Sequence, residues 1–226
     1  MIVHRDIQGS DAWVESRRGV ITGSRFKDCR DFKALTKADE KAGKTRGEPS
    51  AKLLAYAFDV ARERVGGKAP EAYANAAMRF GTEQEPIARA VYEARTGQWV
   101  EEAGFITTDD GRFGVSVDGR VGDFGLVEIK TMVSSDTLFT AVVGGDVSAY
   151  RDQCLGAMWL LGCEWVDLIL WAPDLAGIGR DMTVIRIERD DDEISELEAD
   201  LIDFMRRVDS LESALRQITE TEEVTA

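Results

Sequence analysis

Hydrophobic positions keep a helical period through much of the first hundred residues, shorten to a strand-like alternation, and return to helical spacing at the end. Residues 11–18 (DAWVESRR) predict a short helix with Asp11 as its cap, and TGSRFKDCR begins another, capped by Thr22 or Ser24. Residues 36–50 are polar, bear Gly and Pro, and read as a mobile loop. A helix is expected over about 50–65, ending at Gly66-Gly67, and another near 71–95 with an interruption from Gly81 to Pro86. From about 99 to 133 short apolar segments alternate with DDG, DG and GDFG, the pattern of an antiparallel meander. An amphipathic helix near 148–162 follows, then two strand candidates, WVDLILWAP and MTVIRIERD. Over 191–219 Ile194, Leu197, Leu201, Phe204, Val208, Leu211, Leu215 and Ile218 recur at spacings of three and four, one stripe of a long helix. Helices around one sheet, with no internal repeat and no convincing linker, indicate a single α/β domain over 1–226.

Composition narrows the chemistry. With 44% hydrophobic residues and five Trp among 226, the chain can bury a sizeable core. It shows no membrane-spanning apolar run and no basic-then-apolar leader, so a cytoplasmic protein without a membrane partner is expected. Cys29, Cys154 and Cys163 lack CxxC spacing and read as reduced, mostly buried thiols. The single histidine, His4, lies at the extreme N-terminus, a poor place for a Ser-His-Asp, Cys-His or HNH-type centre. Chemistry on carboxylates and a hard metal stays available. The net charge of −14 is unevenly spread: residues 1–100 hold 18 Lys/Arg against 14 Asp/Glu, and residues 190–226 hold 13 acids against 3 bases. A basic surface can therefore coexist with an acidic whole.

The stretch GLVEIKTM carries the densest chemistry. On a strand, Glu128 and Lys130 share one face while Val127 and Ile129 take the other. Asp118 lies ten residues before Glu128 in a neighbouring segment. If the two segments pair as a hairpin, both carboxylates come within reach of one divalent cation, and oxygen ligands of this kind suit Mg²⁺ or Mn²⁺. Lys130 could then orient or deprotonate an attacking water, or stabilise charge developing on a phosphate. The competing account is a solvated strand with an ion pair. Glu85 likewise has two readings, since Thr82 and Glu85 have capping-box spacing with Pro86 next. Gln153 could be the polar edge of an amphipathic helix, Arg17 a surface arginine beside a helix cap, and Met78 a core residue near Phe80.

Together and in one order, these pieces carry a resemblance. W-x3-R-x-G-V-I-T-x-S from Trp13, F-G-x3-E ending at Glu85, S-x-D-G at Ser116, L-V-E-I-K ending at Lys130 and Y-x2-Q-x4-M-W from Tyr150 are similar to the lambda exonuclease (YqaJ-like) family of phage-type alkaline exonucleases, within the PD-(D/E)xK nuclease superfamily. The likeness covers roughly residues 13 to 165, with Val117 standing where a Pro often precedes the metal-binding Asp.

The resemblance implies a restriction-endonuclease-like α/β core, a central mixed β-sheet flanked by helices. Asp118, Glu128 and the Ile129 carbonyl would be metal ligands, Lys130 the catalytic lysine, Glu85 a further metal-site carboxylate and Gln153 a polar group lining the site. Arg17, Ser24 and Ser116 match positions that bind a 5′-phosphate, a sound anion set near a helix N-terminus. Met78 falls where an apolar residue wedges between bases. Arg25, Lys27, Arg30, Lys37, Lys41, Lys44 and Arg46 could line a DNA channel. The implied activity is Mg²⁺-dependent 5′→3′ digestion of one strand of linear duplex DNA by a homotrimeric ring. It leaves 3′ overhangs for a single-strand annealing protein, in a bacterial cytoplasm and from a phage or prophage gene. A restriction-like or junction-resolving endonuclease, or a non-catalytic DNA-end-binding protein, are the alternatives. The apolar stripe of 191–219 is read as one helix laid on its own domain rather than a three-stranded bundle.

Overall fold

The computed structural model describes residues 1–6, 9–68 and 76–223, with side chains placed as far as 217. Its strands form two four-stranded ladders, not the one sheet expected. β1 (Ile2–His4), β2 (Ile21–Thr22), β3 (Phe105–Thr107) and β4 (Phe113–Ser116) lie in the order β1-β3-β4-β2, and β5 (Gly119–Val121), β6 (Gly125–Thr131), β7 (Trp165–Trp171) and β8 (Met182–Glu188) lie in sequence order. The chain steps from the first ladder to the second at Val117-Asp118, between β4 and β5. This divides the predicted meander, although each half keeps its antiparallel pairing. β6 and β7 are parallel and need a crossover, which α6 (Ser135–Leu138) and α7 (Ser148–Leu161) supply.

Helices cover both faces of the second ladder, as the apolar runs of β6 and β7 require. Leu126, Leu168 and Leu170 join α7 (Leu155, Met158), α4 (Ala51–Arg64; Leu53, Ala57) and α8 (Asp191–Glu223; Leu197, Leu201) in one core. On the opposite face Val127, Ile129, Ile169 and Trp171 pack beneath Ala88 and Tyr92 of α5 (Ala76–Thr96). The alternation read from GLVEIKTM therefore holds, with Glu128 and Lys130 on the α7 side. Trp171 donates its indole N–H to Gln84 (2.9 Å), fixing α5 across β7.

Four local expectations are corrected. α1 (Asp11–Ser16) is capped by Ser10, whose hydroxyl accepts the Trp13 N–H (3.2 Å), and not by Asp11. Neither Thr22 nor Ser24 is a side-chain cap: Thr22 is a buried strand residue opposite Gly114, and Ser24 lies inside a 3-10 turn, Gly23–Arg25, that precedes the single-turn α2 (Phe26–Cys29). Inside the expected loop, Thr36 and Asp39 form a reciprocal capping box that nucleates the short α3 (Lys37–Lys41). α5 runs without interruption through Gly81 and Pro86; its predicted beginning at 71–75 lies outside the described residues. Thr82 and Pro86 are both exposed, so water can solvate the Thr82 carbonyl that proline leaves without an N–H donor.

α8 lies on its own core. Ile194, Leu197, Leu201, Phe204 and Val208 are buried, Phe204 stacks on Tyr56 (5.2 Å between centroids), and Leu211 packs at the margin. Leu215 is exposed, and the side chain of Ile218 lies outside the described residues. All three cysteines are free and buried. Among the described residues no helix is long and apolar enough to cross a membrane.

Candidate active site

The junction between the ladders places the first carboxylate. Asp118 sits just before β5 where the β5–β6 ladder ends, and its Oδ2 takes the Ile129 N–H (2.5 Å) that would otherwise lack a strand partner. In a strand the N–H and C=O of one residue point to the same edge. The Ile129 carbonyl therefore faces the edge that Asp118 occupies. Glu128 projects from the next position onto the α7 face, 4% exposed. Its Oε1 accepts from Lys130 Nζ (2.7 Å) and from Gln153 Nε2 of α7 (2.6 Å). Residues from strand and helix thus converge on one carboxylate oxygen.

Glu85 reaches the same edge from the other face. It lies in the middle of α5, not at a helix start, and Thr82 bonds back to the Met78 carbonyl (3.2 Å), so the capping-box reading fails. Glu85 interacts electrostatically with Asp118 and forms an ion pair with Arg89 (3.6 Å). Burial raises the Glu85 carboxyl above its usual value, Arg89 opposes this and Glu128 adds to it. Asp118 is pushed well above the carboxylate range, by burial first and then by Glu128 and Glu85. Burial works to lower the Lys130 pKa, but Glu128 and Asp118 overcome it and hold the ammonium above its ordinary value. Three carboxylates thus face one lysine, with Arg89 set against Glu85, and the centre has an excess of negative charge.

That excess, and a donor set of oxygens without His or Cys, suits a hard divalent cation. Among the described residues no three His, Cys, Asp or Glu side chains already converge as a metal cluster. The donors offered are Asp118, Glu128 and the main-chain carbonyl of Ile129, with Glu85 beyond Asp118.

A second cluster adjoins the first. Arg17, the C-cap of α1, lies over the rings of Trp13 (4.4 Å) and Phe105 (4.7 Å), and its Nη1 is buried without a hydrogen-bond partner. Burial holds its pKa below the ordinary arginine value. Phe105 is the cross-strand partner of Ser116. β2 runs parallel to β4 with Thr22 opposite Gly114, Gly23 still packs on Val115, and the exposed Ser24 follows. The three residues named from the sequence for anion binding therefore border one region. Ser116 precedes Asp118 by two residues, about 7 Å of extended chain. Met78 is 55% exposed, so it is not core. It stands two helical turns before Glu85 on the same face of α5, about 10 Å away along the axis.

Sequence reading assigned no role at the site to three neighbours, two of which, Tyr150 and Trp13, it named only as motif residues. Tyr150 lies 5.8 Å from Lys130 Nζ, and its place one turn before Gln153 on α7 was the available signal. Trp13 stands four residues before Arg17, a helical spacing that was also legible. Arg89 had no comparable signal, because its task depends on how α5 meets β6.

Fold and centre together define the restriction-endonuclease-like class: a mixed α/β core with a D…ExK set where a β-hairpin meets the helix layers. Within it the chain belongs to the YqaJ-like viral recombinase domain family, whose profile matches residues 12–164. The crystal structure of an alkaline exonuclease (LHK-Exo) from Laribacter hongkongensis is similar over 94% of this chain and 99% of that one, with 31% identity and a TM-score of 0.77. The same exonuclease in complex with dAMP gives a TM-score of 0.78. A phage-related exonuclease from Haemophilus somnus 129PT shares the fold at 18% identity, over 87% of this chain and 96% of that one, with a TM-score of 0.67. No curated protein matches.

Proposed function

We propose that the protein is a Mg²⁺-dependent exonuclease that digests one strand of linear double-stranded DNA from its 5′ end, with Mn²⁺ as a working substitute. The observation that carries this reading is the junction at Asp118. One edge of β6 presents Asp118, Glu128 and the Ile129 carbonyl, with a lysine paired to Glu128 and an arginine Nη1 left without a partner on the adjoining strand pair. Asp118, Glu128 and the Ile129 carbonyl would hold the cation, with Glu85 in support. When bound, Mg²⁺ supplies Lewis-acid charge at the scissile phosphate and acidifies water.

The remaining steps belong to the chain. Gln153 fixes the Glu128 carboxylate by its hydrogen bond. Lys130, kept protonated by Glu128 and Asp118, donates toward phosphate oxygens as negative charge grows, a task that needs an ammonium rather than a free amine. Arg17, Ser24 and Ser116 take the terminal 5′-phosphate, and Ser116 links that grip to Asp118 through two residues. Met78, exposed on the approach to Glu85, separates the end base pair. The products are nucleotides and a duplex with 3′ overhangs, the substrate of a single-strand annealing protein. Enclosure by a homotrimer would keep the enzyme on its strand. The named exonuclease relatives support the reaction class.

Purified protein incubated with linear and covalently closed circular duplex tests the reading. Mg²⁺-dependent nucleotide release from the linear form, abolished by chelator and absent with the circle, is expected. Cleavage of the circle would indicate an endonuclease, and no nucleotide release at all would indicate an end-binding protein.

A further inference from the structure

The turn that follows Arg17 is held by residues far from the reacting groups. α1 has only six residues and buries none of them, so it cannot by itself fix the arginine at its end. Two positions on, both main-chain groups of Gly19 are grasped by the last turn of α4. Glu63 Oε2 accepts the Gly19 N–H (2.7 Å), and Arg64 Nε donates to the Gly19 carbonyl (2.9 Å). Gly19 has φ +70°, and a β-carbon there would come within 2.7 Å of Arg64 Cγ, so strain and collision both demand glycine. Arg64 is in turn held by Asp209 of α8 (3.0 Å), which also receives Arg112 Nη1 (2.6 and 2.8 Å). Arg112 closes the loop, because its carbonyl accepts the Ile21 N–H (2.9 Å) at the start of β2. α4, α8 and the head of β4 thus meet on the segment between Arg17 and Ser24.

We infer that Glu63, Arg64 and Asp209 are positioning residues for phosphate-end selection: they hold the Gly19 turn so that Arg17 and Ser24 stand where a terminal phosphate is gripped. The inference rests on the proposed role of Arg17 and adds residues that touch neither DNA nor metal. Glu63 accepts a main-chain N–H as a carboxylate, a charge-assisted bond, and Arg64 donates as a guanidinium. Loss of either lets α1 move against Phe105. A grip on phosphate tolerates little displacement, whereas binding of the duplex as a whole tolerates more.

The test compares rates on linear duplex carrying 5′-phosphate or 5′-hydroxyl ends, for wild type, Arg17→Ala, Glu63→Ala, Glu63→Gln and Asp209→Asn. Glu63→Ala is expected to lower the preference for phosphate about tenfold, the factor for one charge-assisted hydrogen bond, mainly through KM on phosphorylated ends. Glu63→Gln keeps an acceptor and should recover most of it. Asp209→Asn, on the exposed side of the network, should shift the preference in the same direction by a smaller factor without unfolding the protein. If Arg17→Ala leaves the preference intact, the pocket itself is misassigned. If Arg17→Ala removes the preference while Glu63→Ala and Asp209→Asn keep it, or lower both rates equally, the positioning inference is overturned.

Discussion

Replacing Lys130 by Ala separates its structural task from its chemical one. Lys130 Nζ and Gln153 Nε2 share Glu128 Oε1 at 2.7 and 2.6 Å, and Glu128 is 4% exposed. The substitution leaves a buried carboxylate with the amide of Gln153 as its remaining donor. Breaking a fully buried ion pair costs about 3–5 kcal/mol. Here the lysine side chain is 26% exposed and Gln153 stays, so a loss of about 2 kcal/mol in chelator is expected. Magnesium should narrow this gap. The ammonium and the cation compete for Glu128, so Lys130→Ala should bind Mg²⁺ more tightly than wild type. Mg²⁺ stabilises both proteins, so at saturation each tenfold gain in affinity by the variant recovers about 1.4 kcal/mol of the difference. Turnover should nonetheless fall by about 10²–10³, the usual cost of removing one donor aimed at charge that develops in the transition state. Denaturant titrations with chelator and with Mg²⁺, beside single-turnover digestion of linear duplex, measure all three quantities. Turnover within about threefold of wild type, or Mg²⁺ affinity that falls with the lysine, would refute the assigned role.

Asp118 and Glu85 have folded-state pKa values above their unfolded ones, so the native state holds extra protons and the metal-free protein loses stability as pH rises from about 4 through those raised values. Asp118→Asn should therefore raise the melting temperature in chelator at neutral pH while abolishing hydrolysis; a melting temperature unchanged between pH 4 and pH 8 in wild type would contradict the crowding. Truncation after Arg189 removes the buried Ile194, Leu197, Leu201, Phe204 and Val208 and should prevent folding, whereas truncation after Leu211 should leave a cooperative, soluble protein; circular dichroism melts of both decide whether the helix is core or bundle. Light scattering coupled to chromatography should give a trimer at micromolar concentration, and a monomer there would count against the proposed ring.

The fold was legible where its causes are local. The stripe from Ile194 to Val208, the extents of α4 and α7, and the alternation of GLVEIKTM follow from side-chain period and turn residues within a few positions of each other. The departures have two origins. The Ser10 cap of α1 and the Thr36–Asp39 capping box of α3 are local signals that the reading of Asp11 as cap and of 36–50 as a loop did not use, whereas the burial of Thr22 in β2 and the continuity of α5 through Pro86 depend on what the rest of the chain packs around them.

The sequence alone supplied the candidates for the site: two carboxylates and a lysine on a predicted β-hairpin and, through the family resemblance, a glutamate and a glutamine on helices and an arginine with two serines. No local pattern could tell a solvated Glu128–Lys130 pair from a buried one, or a capping Glu85 from a mid-helix carboxylate crowding Asp118. Tertiary structure decided both. It ended the β5–β6 ladder at Gly119, so that Ile129 turned its N–H to Asp118 instead of to a strand, and it laid α5 and α7 on opposite faces of β6 so that Glu85 and Gln153 reach one edge. Burial and electrostatic crowding are properties of groups brought together from distant parts of the chain, and a linear pattern carries no measure of that distance.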